Sequence, residues 1–410
     1  MVQTEDYNIT PNIAPDPVSG NTLKDTKTMQ ANDNYSFDTI VDRHNTNSLK
    51  WDKYKHQDII PLWVADTDFK AAPVIQQALE DRVNHGVFGY TRTDEQRNQV
   101  VADYYKKKYG CHVEANWIVW VPGIVASLTL AIRSLSKQHQ QVLTPDMVYP
   151  YFHTTPAAAG KQANHLAMTY AEDRVRIDID ALEKRNAQDA RVMLFCNPQN
   201  PGGAIYTRDE LRRIDTYCEA NNVVLVSDEI HADIILDEDK KHVPYIDVSA
   251  HALNNSIVLG AASKAFNVAG LACSWAVIAN DELRQAFKDE MHGIISEINP
   301  FGYTATLTAL TDGDDWLAAM NRYLRDNRDY LMEQLNGIKG LRMLPLESTF
   351  LAWVDASELK LDDPCAFFEA AGVGMSPGSN FNDTNFLRLN FGCAKSVLEE
   401  AVRRIKAALV

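Results

Sequence analysis

The stretch VVLVSDEIHAD, Val223 to Asp233, decides the fold. Its first five residues read as a strand buried on both faces, because parallel strands covered by helices are near-continuous apolar runs rather than alternating ones. Ionisable side chains follow at once: Asp228, Glu229, His231 and Asp233. Runs of the same kind lie at Trp117–Val121 (WIVWV), Arg191–Cys196 (RVMLFC) and Ser256–Ala261 (SIVLGA). Helical segments fall at Ala126–Leu135, Thr207–Ala220 and, later, Trp316–Leu335. That alternation predicts an α/β fold with helices on both faces of a sheet. Thr207 with Glu210, and Ser396 with Glu399, have the S/T-x-x-E spacing of a capping box and predict two helix starts. After about Pro300 a long helix is followed by shorter strands, Thr349–Val354 and Phe386–Leu389, and a closing amphipathic helix, the pattern of a smaller C-terminal domain.

With 410 residues, 45% hydrophobic and 23% charged, the chain is globular and too long for one small domain. We divide it into a polar tail (1–34), an arm with part of the small domain (35–80), a large domain (81–305) and a C-terminal small domain (306–410). The net charge of −15, with no Lys/Arg-dense stripe, argues against a nucleic-acid partner. The six cysteines are scattered without CxxC pairs or zinc spacing, which fits a reducing, cytoplasmic compartment better than a disulfide framework. MVQTEDYNIT lacks the basic start and apolar core of a signal peptide, and no apolar run approaches the ~20 residues of a membrane span, so no membrane partner is expected.

Three motifs follow predicted strands: NPQNPGG (Asn197–Gly203), DEIHAD (Asp228–Asp233) and SKAFN (Ser263–Asn267). Open α/β sheets gather ligands at the carboxyl ends of their strands. Taken singly, each motif is weak evidence, because an acid at a strand end is more often a helix cap or a solvated loop. The acids and histidine of DEIHAD also imitate a metal site, but no second ligand group recurs at a suitable spacing. Lys264 follows an apolar run and small residues, where a desolvated lysine has a lowered pKa and acts as a Schiff-base nucleophile. Pyridoxal phosphate on Lys264 would place a cationic ring nitrogen in need of an acidic partner, and Asp228 supplies one.

The segments FDTIVDRHNTNSLKWDKY (Phe37–Tyr54), PLWVADTDF (Pro61–Phe69), GVFGYT (Gly86–Thr91), VPGIVASLTLAI (Val121–Ile132), CNPQNPGG, SDEIHAD, SKAFNVAGL and LRLNFGCAKSVLEEA (Leu387–Ala401) carry a resemblance over nearly the whole chain after the tail. It is to the fold-type I pyridoxal-phosphate enzymes of the class I/II aminotransferase superfamily, in the cystathionine β-lyase or C-S lyase branch. SLKWD and WVADTDF mark that branch. The resemblance implies a large domain with a mostly parallel seven-stranded sheet flanked by helices, plus a smaller α+β domain. It also implies roles. Lys264 matches the lysine that carries the cofactor, Asp228 its pyridinium partner, Asn200 the residue on its 3-hydroxyl and Tyr149 the aromatic stacked on its ring. His231 stands where general aminotransferases have a tyrosine. Ile124 and Val125 would offer backbone amides to the phosphate at a helix start, joined by Ser263 and Tyr90. Arg388 would grip the substrate α-carboxylate as a bidentate fork, with Ala65 and Asp66 beside the substrate. Tyr90 resembles a tyrosine that reaches into the neighbouring subunit's site, which implies a homodimer with shared active sites.

Three positions depart from the pattern: Ala272 stands where aminotransferases place a phosphate-binding arginine, Ala261 replaces a serine, and Thr67 a methionine. The implied activity is a cysteine-S-conjugate β-lyase, eliminating a thiol from a small β-thioether amino acid to leave pyruvate and ammonia. An aminotransferase shares every step through removal of the α proton. A regulator using the fold as a sensor would need a DNA-binding module ahead of it, and about 34 polar residues are too few.

Overall fold

A computed structural model describes residues 35–410 except 137, 139 and 188, so the predicted tail lies outside the described residues. Seven strands form the main sheet: β1 (Ile118–Val121), β2 (Gln141–Pro145), β3 (Gln162–Leu166), β4 (Ala190–Cys196), β5 (Val224–Asp228), β6 (Ser256–Gly260) and β7 (Ser274–Val277). Their order is β1-β7-β6-β5-β4-β2-β3. Among the described strands β7 is antiparallel to both its neighbours and every other pairing is parallel, so the expected mostly parallel seven-stranded sheet is present.

The apolar runs become strands because both faces are covered. Along β5, Leu225 packs into the core on one side and Val226 into the core on the other, as successive side chains of a strand must. Register then aligns the strand ends: Cys196 pairs with Asp228, and Asp228 with Leu259. The three motifs that follow β4, β5 and β6 therefore leave the sheet along one edge.

Helix α1 (Ile124–Leu135) starts two residues before the predicted Ala126 and lays Leu128 and Ile132 against the sheet. Helix α2 (Arg208–Ala220) begins with the expected capping box, in which the Glu210 amide donates to Thr207 Oγ1 (3.2 Å) and the Thr207 amide to Glu210 Oε2 (2.7 Å). Helix α3 (Asp314–Asn336) covers the long segment predicted at Trp316–Leu335. The second capping box does not form. Helix α4 (Lys395–Ala408) has Ala394 at its N-cap, and the Lys395 amide donates to the Tyr323 hydroxyl (2.7 Å), so a distant side chain does the work expected of Ser396.

A second, antiparallel sheet contains β8 (Arg342–Met343), β9 (Leu351–Asp355), β10 (Ser376–Pro377) and β11 (Phe386–Asn390), in the order β8-β9-β11-β10. Strand β9 starts later than predicted because Thr349 is left-handed (φ 73°) and its Oγ1 accepts from the Leu351 amide (3.2 Å). Likewise Trp117 belongs to a 3-10 turn (Ala115–Trp117) rather than to β1. Arg388 sits mid-β11, opposite Trp353 on one side and Ser376 on the other.

Candidate active site

Asp228 is the last residue of β5 itself, one position further along the strand than the sequence predicted. It is 4% exposed, and burial pushes its carboxyl up to about 7, against the opposing pull of the Ile230 amide (3.1 Å) and the Lys264 charge. Lys264 lies in a tight turn after β6, closed by the Phe266 amide on Ala262 O (2.9 Å) and the Val268 amide on Ser263 O (3.1 Å). Its Nζ donates to Ala65 O at 2.6 Å. Burial and the nearby Arg388 charge bring Lys264 down to about 8, with Asp66 and Asp228 resisting.

Arg388 is buried. Its Nη1 donates to Asn200 Oδ1 (3.0 Å), its Nη2 to Trp63 O (3.0 Å) and Ser376 Oγ (3.4 Å), and its guanidinium lies 4.7 Å from the Phe381 ring centre. Desolvation lowers its pKa to about 10, and its Nε has no hydrogen-bond partner among the described residues. His231 is buried against Phe350, and desolvation with the Lys264 and Arg388 charges holds it down to about 3, a neutral imidazole with an unpartnered Nδ1. Tyr149 packs near Tyr151 (5.3 Å between ring centres), and burial pushes its hydroxyl up to about 12.

Lys264, Asp228, Asn200, His231, Tyr149 and Arg388 thus converge, linked by contact or by mutual charge. Ala65 joins them through its carbonyl, whereas the Asp66 carboxylate turns to Arg43 (2.7 Å). Ser263 is half-buried beside Lys264, and Ile124 and Val125 open α1. Tyr90 stands fully exposed. Among the described residues no group of three or more His, Cys, Asp or Glu is placed to hold a metal ion.

Sequence reasoning missed the frame around this site. Lys50 is wholly buried and donates to Asp68 Oδ2 (2.8 Å) and Asp66 O (3.2 Å). Arg43 reaches Asp68 Oδ1 (2.7 Å) and Trp51 Nε1 donates to the same oxygen (3.0 Å). Asn267 and Asn390 bind the backbone of the segment that carries Ala65. The motifs SLKWD and WVADTDF flagged these segments, but not what each side chain touches.

The unpaired polar groups of this site suit pyridoxal phosphate. The Asn200 carbonyl oxygen is engaged by Arg388, which orients the amide nitrogen as a free donor for a phenolic oxygen. The unpartnered His231 Nδ1 lies in the same buried space. Helix α1 has no side-chain cap, so the first-turn amides of Ile124 and Val125 are among those a helix cannot satisfy itself. A Cβ built on Gly123 (φ 114°) would meet nothing within 4 Å, so the backbone at that helix start is not covered by other side chains there.

The family profile for aminotransferase class I and II matches residues 57–405. Cystathionine β-lyase PatB of Bacillus subtilis (strain 168) is 33% identical over 391 residues, covering 91% of this chain and 100% of that protein. The crystal structure of OvoB superposes with a TM-score of 0.89 at 40% identity, over 92% of this chain and 99% of that one. A pyridoxal-phosphate-bound C-S lyase from Staphylococcus hominis superposes at 0.84 with 31% identity, over 92% and 98%. The chain belongs to the class I and II aminotransferase family, in the branch that holds the cystathionine β-lyases.

Proposed function

We propose that this protein is a pyridoxal-phosphate-dependent cysteine-S-conjugate β-lyase, splitting a β-thioether amino acid and one water into a thiol, pyruvate and ammonia. The observation that carries the reading is that WVADTDF, the segment that marks the branch in sequence, itself touches Lys264 and Arg388. The relatives named for β-cystathionine and C-S cleavage support it.

The cofactor, when bound, supplies an electron sink for negative charge at the substrate α carbon. The chain supplies the rest. Arg388 binds the α-carboxylate, its plane already fixed by Asn200 and Trp63 O, so little order is lost on binding. Lys264 Nζ takes the α proton, and a pKa near 8 suits a base working near neutrality. The Cβ–S bond then breaks with its electron pair on sulfur, which leaves and is protonated to the thiol. Asp228 would hold the cofactor's ring nitrogen, whose positive charge would favour the carboxylate form of an acid that burial raises to about 7, and the neutral His231 adds no competing positive charge. Tyr149 fills the face of the site.

We further propose a homodimer in which Tyr90 completes the neighbouring subunit's site, a large domain at 81–305 carrying the cofactor, and a cytoplasmic setting suited to six cysteines that are all free. No helix among the described residues is long and apolar enough to cross a membrane.

The test is to incubate the holoenzyme with L-cystathionine without any 2-oxo acid and follow pyruvate and free thiol together. Equal release of both is expected. Release of neither, with amino transfer once a 2-oxo acid is added, would make the protein an aminotransferase.

A further inference from the structure

One piece of chain, Trp63–Phe69, runs between Lys264 and Arg388, and side chains from both their elements hold its backbone. Lys264 donates to Ala65 O (2.6 Å) and Arg388 to Trp63 O (3.0 Å). Three residues after Lys264, Asn267 donates to Thr67 O (2.9 Å) and Phe69 O (2.7 Å) and accepts from the Thr67 amide (3.2 Å). Two residues after Arg388, Asn390 donates to Val64 O (2.5 Å) and Asp66 O (2.7 Å) and accepts from the Gly392 amide (2.8 Å). The Asp68 amide closes onto Gly392 O (2.8 Å).

Segments without regular structure ordinarily give their carbonyls to water. Here the carbonyls of Trp63, Val64, Ala65, Asp66, Thr67 and Phe69 are all taken by side chains, most of them from the lysine turn or the arginine strand. Asn267 is left-handed (φ 55°), a conformation asparagine tolerates better than most residues. Lys264 follows β6 of the main sheet and Arg388 lies in β11 of the second sheet, so the geometry of the pair depends on what spans them. Proton transfer at an α carbon held by Arg388 requires Lys264 Nζ to be placed within about 0.5 Å.

We propose that Asn267 and Asn390 are positioning residues that use Trp63–Phe69 as a spacer, fixing the distance from the Lys264 amine to the Arg388 fork. The inference rests on the reading of Lys264 as base and Arg388 as carboxylate grip. Neither asparagine touches the substrate; each acts through the backbone it holds.

The test uses holoenzyme and L-alanine, which has a carboxylate and an α hydrogen but no leaving group. Exchange of that hydrogen is followed by NMR in deuterium oxide at saturating L-alanine, a step that a lyase and an aminotransferase share. The spectral Kd for L-alanine and the absorbance of the bound cofactor are read alongside. Asn267→Gly deletes the side chain while keeping the left-handed backbone accessible, and Asn390→Ala deletes the other clamp. Each variant is expected to keep the cofactor absorbance and to slow saturated exchange at least tenfold, with the Kd raised chiefly in Asn390→Ala. Should Asn390→Ala fail to hold cofactor, Asn390→Ser, which keeps one hydroxyl donor, takes its place with the same expectation. Saturated exchange within twofold of the parent in both variants, with only a lowered melting temperature, would overturn the inference and leave the asparagines as structural staples. A parent that leaves the α hydrogen in place would instead overturn the underlying reading of Lys264 and Arg388, and this inference with it.

Discussion

At the scale of single residues, the site is built from groups kept away from their ordinary charge states. Asp228 is the clearest case: its carboxyl is raised from 3.8 to about 7, chiefly by burial. Between those values the unfolded chain has lost this proton while the folded chain keeps it, so the group makes stability fall as pH rises from about 4 to about 7. Three pKa units correspond to on the order of 4 kcal/mol. Asp228→Asn keeps the acceptor for the Ile230 amide and removes the titration. Denaturant unfolding of the cofactor-free protein should find the variant more stable than the parent at pH 8, by on the order of 3 kcal/mol, and nearly equal at pH 4. A difference that does not depend on pH would show that Asp228 is not strained in this way. The variant should also lose most turnover. Lys264 and Asp228 were legible in the sequence because polar groups at the ends of apolar runs are out of place. Asn267 and Asn390 were not, because their partners lie about 200 and 325 residues away and are backbone atoms that leave no mark on composition.

At the scale of elements, legibility followed hydrophobicity. Strands β4, β5 and β6 were readable because nearly all of their residues are buried. Strand β3, QANHL, is an edge strand with only Leu166 buried, so its sequence looks like loop. The four-residue helix Leu49–Asp52 shows what pattern reading cannot supply, since its Lys50 is wholly buried against Asp68. Breaking one side of a buried ion pair leaves an uncompensated charge. Lys50→Met should cost ~3 kcal/mol in urea unfolding, the lower end of that class because Arg43 and Trp51 still hold Asp68. A loss under about 1 kcal/mol would mean that those two neighbours suffice alone.

At the scale of the whole molecule, four exposed apolar residues fall within one short stretch of chain. Val83, Val87, Phe88 and Tyr90 are all more than half exposed, on and just after the helix Pro73–His85, which Gly86 ends in a left-handed turn (φ 75°). Phe88 also lies against Phe301, the rings tilted at 37° with centres 5.3 Å apart. Such a cluster is the mark of a partner surface. Light scattering should give twice the chain mass, and Phe88→Asp should give monomers with little turnover. Mixing inactive Lys264→Ala with an inactive Tyr90→Ala protein should restore activity in hybrid dimers. If mixing restores none although subunits exchange, each site is complete within one chain.

The antiparallel strand β7 carries a consequence for how the chain comes to be folded in a cell. Among the described residues strand β1, IVWV, pairs with β7 alone, and Val121 and its partner Ser274 are 153 residues apart. During N-to-C synthesis β1 is therefore made long before anything can pair with it, an apolar ribbon with a bare hydrogen-bonding edge. Strand β7 arrives just after the turn that bears Lys264, so β1 stays unpaired until that turn has been made. Chains that stop short of residue 274 carry that ribbon uncovered, and nascent or truncated forms of this protein should bind chaperones more strongly than the full-length chain does.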